Sequence, residues 1–469
     1  LDGAHTDRLG PNTEPVDLSR PHLIGVEDPD LMALAVFYAS AGLPVTGSES
    51  APSPLSTELR RRGCRLWTGY SPAHIHGASV VIASPAIPAG NSEILTAHRQ
   101  GVPVISPVRA FSALTAARIT IAVTGTCGKT GTAGMLVHLL EQVGADPSWV
   151  IGDDLVGAGP LSRARRGTGE LIVIECDPAD AAKLRPDVAV LTNLYDEPHR
   201  EAAGGLLGQM TADGLVIACG DDPGVRTVLE HITSDRAVKA PDVVTYGRCG
   251  DATWTFVHGV HGPGYRVQAH GPRSALLESV VPGIGLHQTY NAVAAVLTAV
   301  SLGLSPRDLA EALATFKGVQ GHLTIVGVVH GVTVLASAAH HPEALRADLS
   351  AARDLTDVRG KVHLLHAPAS AGLASQTWHL LLTGADRVTL LPPPTSPDHP
   401  SQDEAAPSTA LTGVDADRLG IERARGLEEA IEMSARHARP GDVVVVMGPT
   451  YRTGHLAASL LQRLCGQGR

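Results

Sequence analysis

Between Ile121 and Thr132 the chain reads Ile-Ala-Val-Thr-Gly-Thr-Cys-Gly-Lys-Thr-Gly-Thr, an apolar run, a turn of small residues and the start of a helical pattern. That order suits a phosphate. Gly125 and Gly128 carry no side chain to hold a polyphosphate away from backbone N–H groups, and a helix start adds partial positive charge. Thr126, Cys127 and Gly131 complete the loop. Lys129 is placed to reach β- and γ-phosphates, and the Thr130 hydroxyl is a hard oxygen suited to Mg²⁺. Val123 stands five residues before Gly128, where the common Walker form has glycine. The plain alternative is a strand–turn–helix connection with an incidental lysine; strand, loop and helix in this order favour phosphate. Cys127 lies near both a helix start and Lys129, conditions that lower a thiol pKa.

Glu175 follows the apolar run Leu171–Ile174. In an open parallel sheet ligands bind beyond the carboxyl ends of strands, so a carboxylate here is a candidate Mg²⁺ ligand, with a solvated loop acid as the alternative. Asp177 and Asp180 are expected to be structural or exposed. Asn193 and His199, after the run Val188–Leu191, are placed on the same rim and are candidates for the metal shell.

Stepping outward, short apolar runs alternate with helical patterns, the signature of α/β layers with parallel sheets. Three blocks separate, with boundaries at 1–118, 119–322 and 323–469. The first has strands at His22–Gly25, Val80–Ala83 and Val102–Ile105, with helices at Leu31–Ala41 and Ser92–Gln100. The second opens with Ile119–Val123 and a helix stopped by Gly144. It adds strands at Leu171–Ile174, Val188–Leu191, Leu215–Cys219 and Val243–Tyr246, then an antiparallel meander over 254–281 and a helix from Asn291 to Leu302. The third has strands at Val332–Leu335, Val362–Leu365, Val388–Leu391 and Val443–Met447, with helices near 342–353, 427–437 and 455–464. The proline-rich stretch from Leu391 to Ala410 reads as a surface loop.

Composition narrows the function classes. A length of 469 residues sets a prior of about three domains. Lys plus Arg number 37 against 47 Asp plus Glu, a formal charge of −10, which weighs against a surface that neutralises nucleic-acid phosphates. No apolar run of about 18 residues is present, so a membrane-spanning helix is not expected. Leu1–Arg20 is polar and lacks the apolar core of a secretory signal. The six cysteines form no C-x-x-C pair and are expected as free thiols in a reducing cytoplasm.

The loop Thr-Gly-Thr-x-Gly-Lys-Thr resembles that of the Mur ligases, and the resemblance runs from about residue 20 to the end, following the UDP-N-acetylmuramate–L-alanine ligases of that family. Gly47-Ser48-Glu49 is similar to a family Gly-Ser-Asp. Ser84, Ala86, Ile87, Asn91 and Glu93 fit its Ser-x-Ala-Ile and Asn-Pro-Glu-Ile pattern. Asp146-Pro-Ser, Ile151-Gly152, Glu175-Cys-Asp-Pro-Ala-Asp180, Thr192-Asn193 and Asp221-Asp222-Pro223 correspond as well. Pro282-Gly283, His287 and Asn291-Ala292 match the segment whose His and Asn approach adenine. Phe316-x-Gly318-Val319, His340-His341-Pro342 and Gly441-Asp442 continue the match. The resemblance implies three α/β domains: a Rossmann-like one for a UDP-sugar, a central P-loop-type ATPase and a Rossmann-like one for an amino acid. It implies ATP and Mg²⁺ as cofactors, an acyl phosphate intermediate and small-molecule substrates. The site residues it implies are Lys129, Glu175 and His199 for catalysis, the 125–131 loop with His287 and Asn291 for ATP, and Ser48, Asn193, His340 and His341 for substrate.

The departures have their own meaning. Gly25-Val-Glu-Asp-Pro-Asp30 stands where the family has a Gly-rich diphosphate loop; its carboxylates repel a diphosphate, and Pro29 removes an N–H donor. His199 in Asp196-Glu-Pro-His199 is about one position out of the family register. Gly321-His322 replaces an Arg pair, Ala336-Ser337-Ala338 replaces Asp-Asp-Tyr, and no Arg occurs from 361 to 386. Two functions fit: an ATP-dependent carboxylate–amine ligase, with altered substrates as one form of it, or a degenerate relative that binds ATP and serves as a scaffold. A partner chain supplying the missing cations fits either.

Overall fold

The computed structural model describes residues 16–234, 240–261, 264–272, 276–356, 358–368, 383–392 and 421–466, and these form three sheets. The first holds β1 (Pro21–Ile24), β2 (Thr46–Glu49), β3 (Arg65–Thr68), β4 (Val80–Ala83) and β5 (Val104–Ile105), in the order β3-β2-β1-β4-β5. Its pairs are parallel. β1 is buried at every residue, as a parallel strand covered on both faces must be. The helices are α1 (Pro29–Ser40), α2 (Pro54–Arg61), α3 (Ser92–Gln100) and α4 (Pro107–Thr115). Their starts are written locally: Asp28, Ser53, Asn91 and Ser106 cap them through side-chain oxygens, and proline opens three of the four. β2 escapes a reading of apolar runs because it is Thr-Gly-Ser-Glu; its place between β1 and β3 buries it.

The second sheet holds β6 (Ile119–Thr124), β7 (Ser148–Val150), β8 (Ala164–Arg165), β9 (Leu171–Glu175), β10 (Val188–Leu191), β11 (Leu215–Cys219), β12 (Asp242–Gly247), β13 (Trp254–His261), β14 (Gly264–His270) and β15 (Leu276–Val281). Their order is β15-β14-β13-β12-β11-β10-β6-β9-β7-β8. With it run α5 (Lys129–Gln142), α6 (Pro178–Leu184), α7 (Glu197–Gln209), α8 (Pro223–Ser234), α9 (Leu286–Ser301) and α10 (Pro306–Leu313). β6 is parallel to both neighbours, β9 and β10, so the chain leaves all three strands at one edge. That edge is where a ligand of such a sheet belongs. Several boundaries shift from the sequence reading; the ones that bear on the site are that Glu175 is the last residue of β9 and that the helix placed at 291–302 already starts at Leu286. The 254–281 stretch forms three consecutive neighbouring strands beyond β12.

The third sheet holds β16 (Thr324–Val329), β17 (Val332–Ser337), β18 (Val362–His366), β19 (Arg387–Leu390), β20 (Ile421–Arg423) and β21 (Val443–Met447), in the order β16-β17-β21-β18-β19-β20. β16 pairs antiparallel with β17, and the other pairs are parallel. α11 (Pro342–Asp354), α12 (Leu427–His437) and α13 (Thr450–Gly466) accompany it; α13 begins five residues before the sequence reading placed it. Most of the stretch expected as a loop, 393–410, and residues 369–372 lie outside the described residues.

The chain divides into two compact units. One comprises Leu1–Val257, Val267–Ser279 and Asn291–Phe316, the other His258–Arg266, Val280–Tyr290 and Lys317–Arg469. In the first, β1 and α1 share a core with Val150, Ile172 and Ile174 of the second sheet. In the second unit, Leu345 and Leu349 of α11 pack on Leu335, Leu364 and Val445. Burying each such leucine contributes about 1.5–3 kcal/mol. Among the described residues no helix is long and apolar enough to cross a membrane.

Candidate active site

β6 ends at Thr124 and α5 begins at Lys129, which leaves Gly125–Gly128 as the turn. Gly125 and Gly128 have φ of 136° and 79°. A Cβ at Gly125 would run into the Thr192 hydroxyl, and one at Gly128 would come within 2.7 Å of Asn291 Oδ1. Both positions therefore need glycine twice over, for φ and for space. Gly128 is also the N-cap of α5, and no side chain caps that end. The first N–H groups of α5 are thus left for an incoming anion.

The residues after β10 clasp this turn. The Thr126 N–H donates to Asn193 O at 2.9 Å. Asn193 Oδ1 accepts from the Cys127 N–H at 2.8 Å, and its Nδ2 donates to Cys127 O at 2.9 Å. The Thr192 hydroxyl donates to Cys127 O at 2.7 Å, and the Tyr195 N–H donates to Thr126 Oγ1 at 3.1 Å. Asn193, placed by sequence on the substrate rim, spends both ends of its amide on the loop backbone. Asn291 closes the other side, accepting from Thr132 Oγ1 at 3.3 Å. Gly131 is buried in the first turn of α5.

Thr130 and Glu175 meet. The Thr130 hydroxyl donates to Glu175 Oε1 at 2.6 Å, and the Gly152 N–H donates to Oε2 at 2.6 Å. A Cβ at Gly152 would sit 3.1 Å from both Thr130 Oγ1 and Glu175 Oε2. A hydroxyl and a carboxylate converging this way are the hard oxygen donors that Mg²⁺ takes. Lys129 Nζ donates to Gly125 O at 2.9 Å and Thr126 O at 3.4 Å. It also pairs with Asp177 at 3.1 Å. Asp177 is exposed, as expected, yet it does more than the sequence reading allowed, because it holds the loop lysine. A cavity of about 280 Å³ opens beside these groups, lined by Asp30, Lys129, Arg163, Glu175, Asp177 and Asp180 among others.

Other expected site residues are engaged elsewhere. Ser48 is buried, and its hydroxyl donates to Glu93 Oε2 at 2.6 Å. His74 and the Ser71 N–H also reach Glu93, at 2.7 and 3.0 Å. Burial works to raise the Glu93 carboxyl, but bonds from His22, Ser48 and Ser71 hold it below the usual range. The Ser48 hydroxyl is therefore engaged within the first block. His199 sits in the first turn of α7 with its ring on Asp196, the cap of that helix. In the second unit, His287 faces Asp348 at 3.7 Å, and burial pushes its imidazole pKa down. His341 caps α11, accepting from the Glu343 N–H at 3.3 Å, and exposed His340 donates to Ala338 O at 3.2 Å.

The start of α1 contrasts with that of α5. Asp28 accepts from the Asp30 N–H at 3.0 Å and from the Ser84 hydroxyl at 2.6 Å. Glu27 accepts from the Ser50 N–H at 3.0 Å. β1 lies between β2 and β4, the point where strand order reverses and a ligand crevice forms. Here Asp28 itself caps the first turn of α1. Thr192, Gly152 and Asp177 fall in segments that resemble the family pattern, but their contacts with the loop, Glu175 and Lys129 were not expected from the sequence.

Comparison with known proteins agrees with this architecture. Models of the Mur ligase family match in three stretches: its catalytic domain over residues 21–119, its middle domain over 123–299 and its glutamate ligase domain over 321–450. A UDP-N-acetylmuramate–L-alanine ligase of Paenarthrobacter aurescens (strain TC1) is 33% identical over 92% of this chain and 94% of its own. The crystal structure of the UDP-N-acetylmuramate–alanine ligase of Thermotoga maritima superposes with a TM-score of 0.77 at 20% identity, covering 96% of this chain and 99% of the other. The MurF ligase of Thermotoga maritima, solved with ADP, gives 0.60 at 17% identity over 91% and 96%. The chain belongs to the Mur ligase family, the ATP-dependent amide-bond-forming ligases of peptidoglycan synthesis.

Proposed function

We propose that block 119–322 holds ATP and Mg²⁺, block 1–118 presents a carboxylate and block 323–469 presents an amine, all in the cytoplasm. The Gly125–Gly131 turn and Lys129 hold the triphosphate, with Asn291 and His287 toward the base. Thr130 and Glu175 hold Mg²⁺, which when bound neutralises phosphate oxygens. Lys129, released from Asp177, offsets charge on the phosphoryl group as it transfers. The carboxylate takes the γ-phosphoryl group, ADP leaves, and the amine then displaces phosphate to form the amide. His199 is assigned to the rim of this reaction, and His340 and His341 to the amine side. Asn193 is assigned to loop positioning.

The uncapped start of α5 beside the Thr130–Glu175 pair carries this reading. Nothing favours the scaffold alternative, since every phosphate-loop group is retained. The relative named above joins UDP-N-acetylmuramate to L-alanine. For this chain we propose a different carboxylate, because Asp28 occupies the anion position at α1. A partner chain that supplies the missing cations is part of this reading, since Arg163, which lines the same cavity as Lys129, is already paired with Asp154 at 3.3 Å. The test is ADP release with ATP, Mg²⁺ and panels of acids and amines. Lys129→Ala is expected to lower turnover about 100-fold or more. Failure of folded protein to bind Mg-ATP at millimolar concentration ends the proposal.

A further inference from the structure

Two departures from the family pattern meet in space. Gly321-His322 replaces an Arg pair, and Ala336-Ser337-Ala338 replaces Asp-Asp-Tyr. The Ala338 N–H donates to Gly321 O, which sets the two segments side by side. Ser337 is the last residue of β17 and is fully buried. Its hydroxyl accepts from the Ala339 N–H at 3.0 Å and donates to Asp348 Oδ2 at 2.6 Å. Asp348 is a buried residue of α11, and its second oxygen, Oδ1, faces His287 Nε2 at 3.7 Å. All of these residues belong to the second unit.

A carboxylate buried in the middle of a helix is costly unless other groups engage it. Asp348 caps no helix end, since α11 runs from Pro342 to Asp354. Among the described residues no three His, Cys, Asp or Glu side chains gather closely enough to hold a metal ion. Its partners are protein groups: Ser337, His287 and His322. Burial pushes the Asp348 carboxyl up, and His287, the Ser337 hydroxyl and His322 act against that. Burial pushes the His287 imidazole down, with Asp348 acting against it and His322 adding to it. The terminal amide of Gln288 also meets His287 Nε2, at 3.2 Å.

Building on the reading of His287 as a contact for the nucleotide base, we propose that Asp348 is its positioning residue, supplying from α11 the carboxylate that the chain lacks at 336 and 337. The Ser337 hydroxyl holds one oxygen in place and leaves the other directed at His287. At 3.7 Å the contact is electrostatic rather than a hydrogen bond. It favours a proton on Nε2 and so sets the state of the ring that meets the base. The base end of the nucleotide site therefore depends on the third block, and the phosphate end on the 125–131 loop.

The test uses the full chain and two probes, Mg-ATP and Mg-tripolyphosphate, the second offering three phosphates and no base. Calorimetry measures both, and a melting curve shows that each variant is folded. Asp348→Asn is expected to weaken Mg-ATP about tenfold or more, the scale of a lost interaction with a charged group, and to leave tripolyphosphate within about twofold. In a His287→Ala background the same substitution should move ATP affinity by less than about twofold, because the aspartate acts through the imidazole. If Asp348→Asn does not fold, Ser337→Ala, which deletes only the hydroxyl holding the carboxylate, carries the same comparison. Equal losses for the two probes, an ATP affinity unmoved by the folded variant, or a loss of the same size without His287 would overturn the proposal. Failure of the unmodified chain to bind Mg-ATP would instead remove the ligase reading beneath it.

Discussion

Asn193→Ala separates a loop-positioning role from a substrate-contacting one. The side chain makes two hydrogen bonds to Cys127, at 2.8 and 2.9 Å, both part-buried. Each is worth about 0.5–1.5 kcal/mol net, so their joint loss costs about 2 kcal/mol. The Thr126 N–H bond to Asn193 O is made by backbone and survives the substitution. The turn is a local element, so the loss is expected to appear as greater loop freedom rather than as global unfolding. If the bound nucleotide must restore the clasped turn, 2 kcal/mol weakens Mg-ATP by about 30-fold. Calorimetry measures that constant, and a melting curve shows that the variant is folded. Asn193→Asp keeps an acceptor for the Cys127 N–H but sets a carboxylate against Cys127 O, and it should bind still more weakly. A folded Asn193→Ala that binds Mg-ATP within threefold of the parent would refute the clasp.

Gly152→Ala sets a methyl group 3.1 Å from Thr130 Oγ1 and Glu175 Oε2; displacing them by a few tenths of an ångström costs about 1–2 kcal/mol. The expected readout is about a tenfold rise in the Mg²⁺ concentration needed for ATP binding, and an unchanged requirement would remove Glu175 from the metal. Burial pushes the His366 imidazole down to about 4 from 6.5, so on acidification the unfolded chain takes up a proton that the native chain refuses. Stability is therefore intact above pH 6.5 and falls by about 3 kcal/mol as pH drops toward 4. Urea midpoints from pH 7.5 to 4 should show a shallower decline in His366→Phe, and superimposable declines would contradict this. Iodoacetamide labelling of Cys127, followed by mass spectrometry, should slow at least about tenfold under saturating Mg-ATP; equal rates would place the thiol away from the nucleotide.

The phosphate turn was legible because its cause is local. A glycine at positive φ, a strand before it and a helix after it involve consecutive residues, and the same holds for the caps at Ser53, Asn91 and Ser106. Central strands such as β10, which pack apolar side chains on both faces, announce themselves in the same way. β2 did not, because its burial comes from its neighbours and not from its composition.

What each polar side chain does was settled only by folding. Thr130 and Glu175 lie 45 residues apart in the chain, and Asn193 and Cys127 lie 66 apart. Ser48 and Glu93, also 45 residues apart, meet through the Ser48 hydroxyl. Asp177 looked incidental until α6 carried it to Lys129. The chain order specified a triphosphate loop and layered α/β domains, since backbone conformation follows from neighbouring residues. Which donor each carboxylate meets depended on where separate strands end, because electrostatic and hydrogen-bond partners are chosen by distance in space.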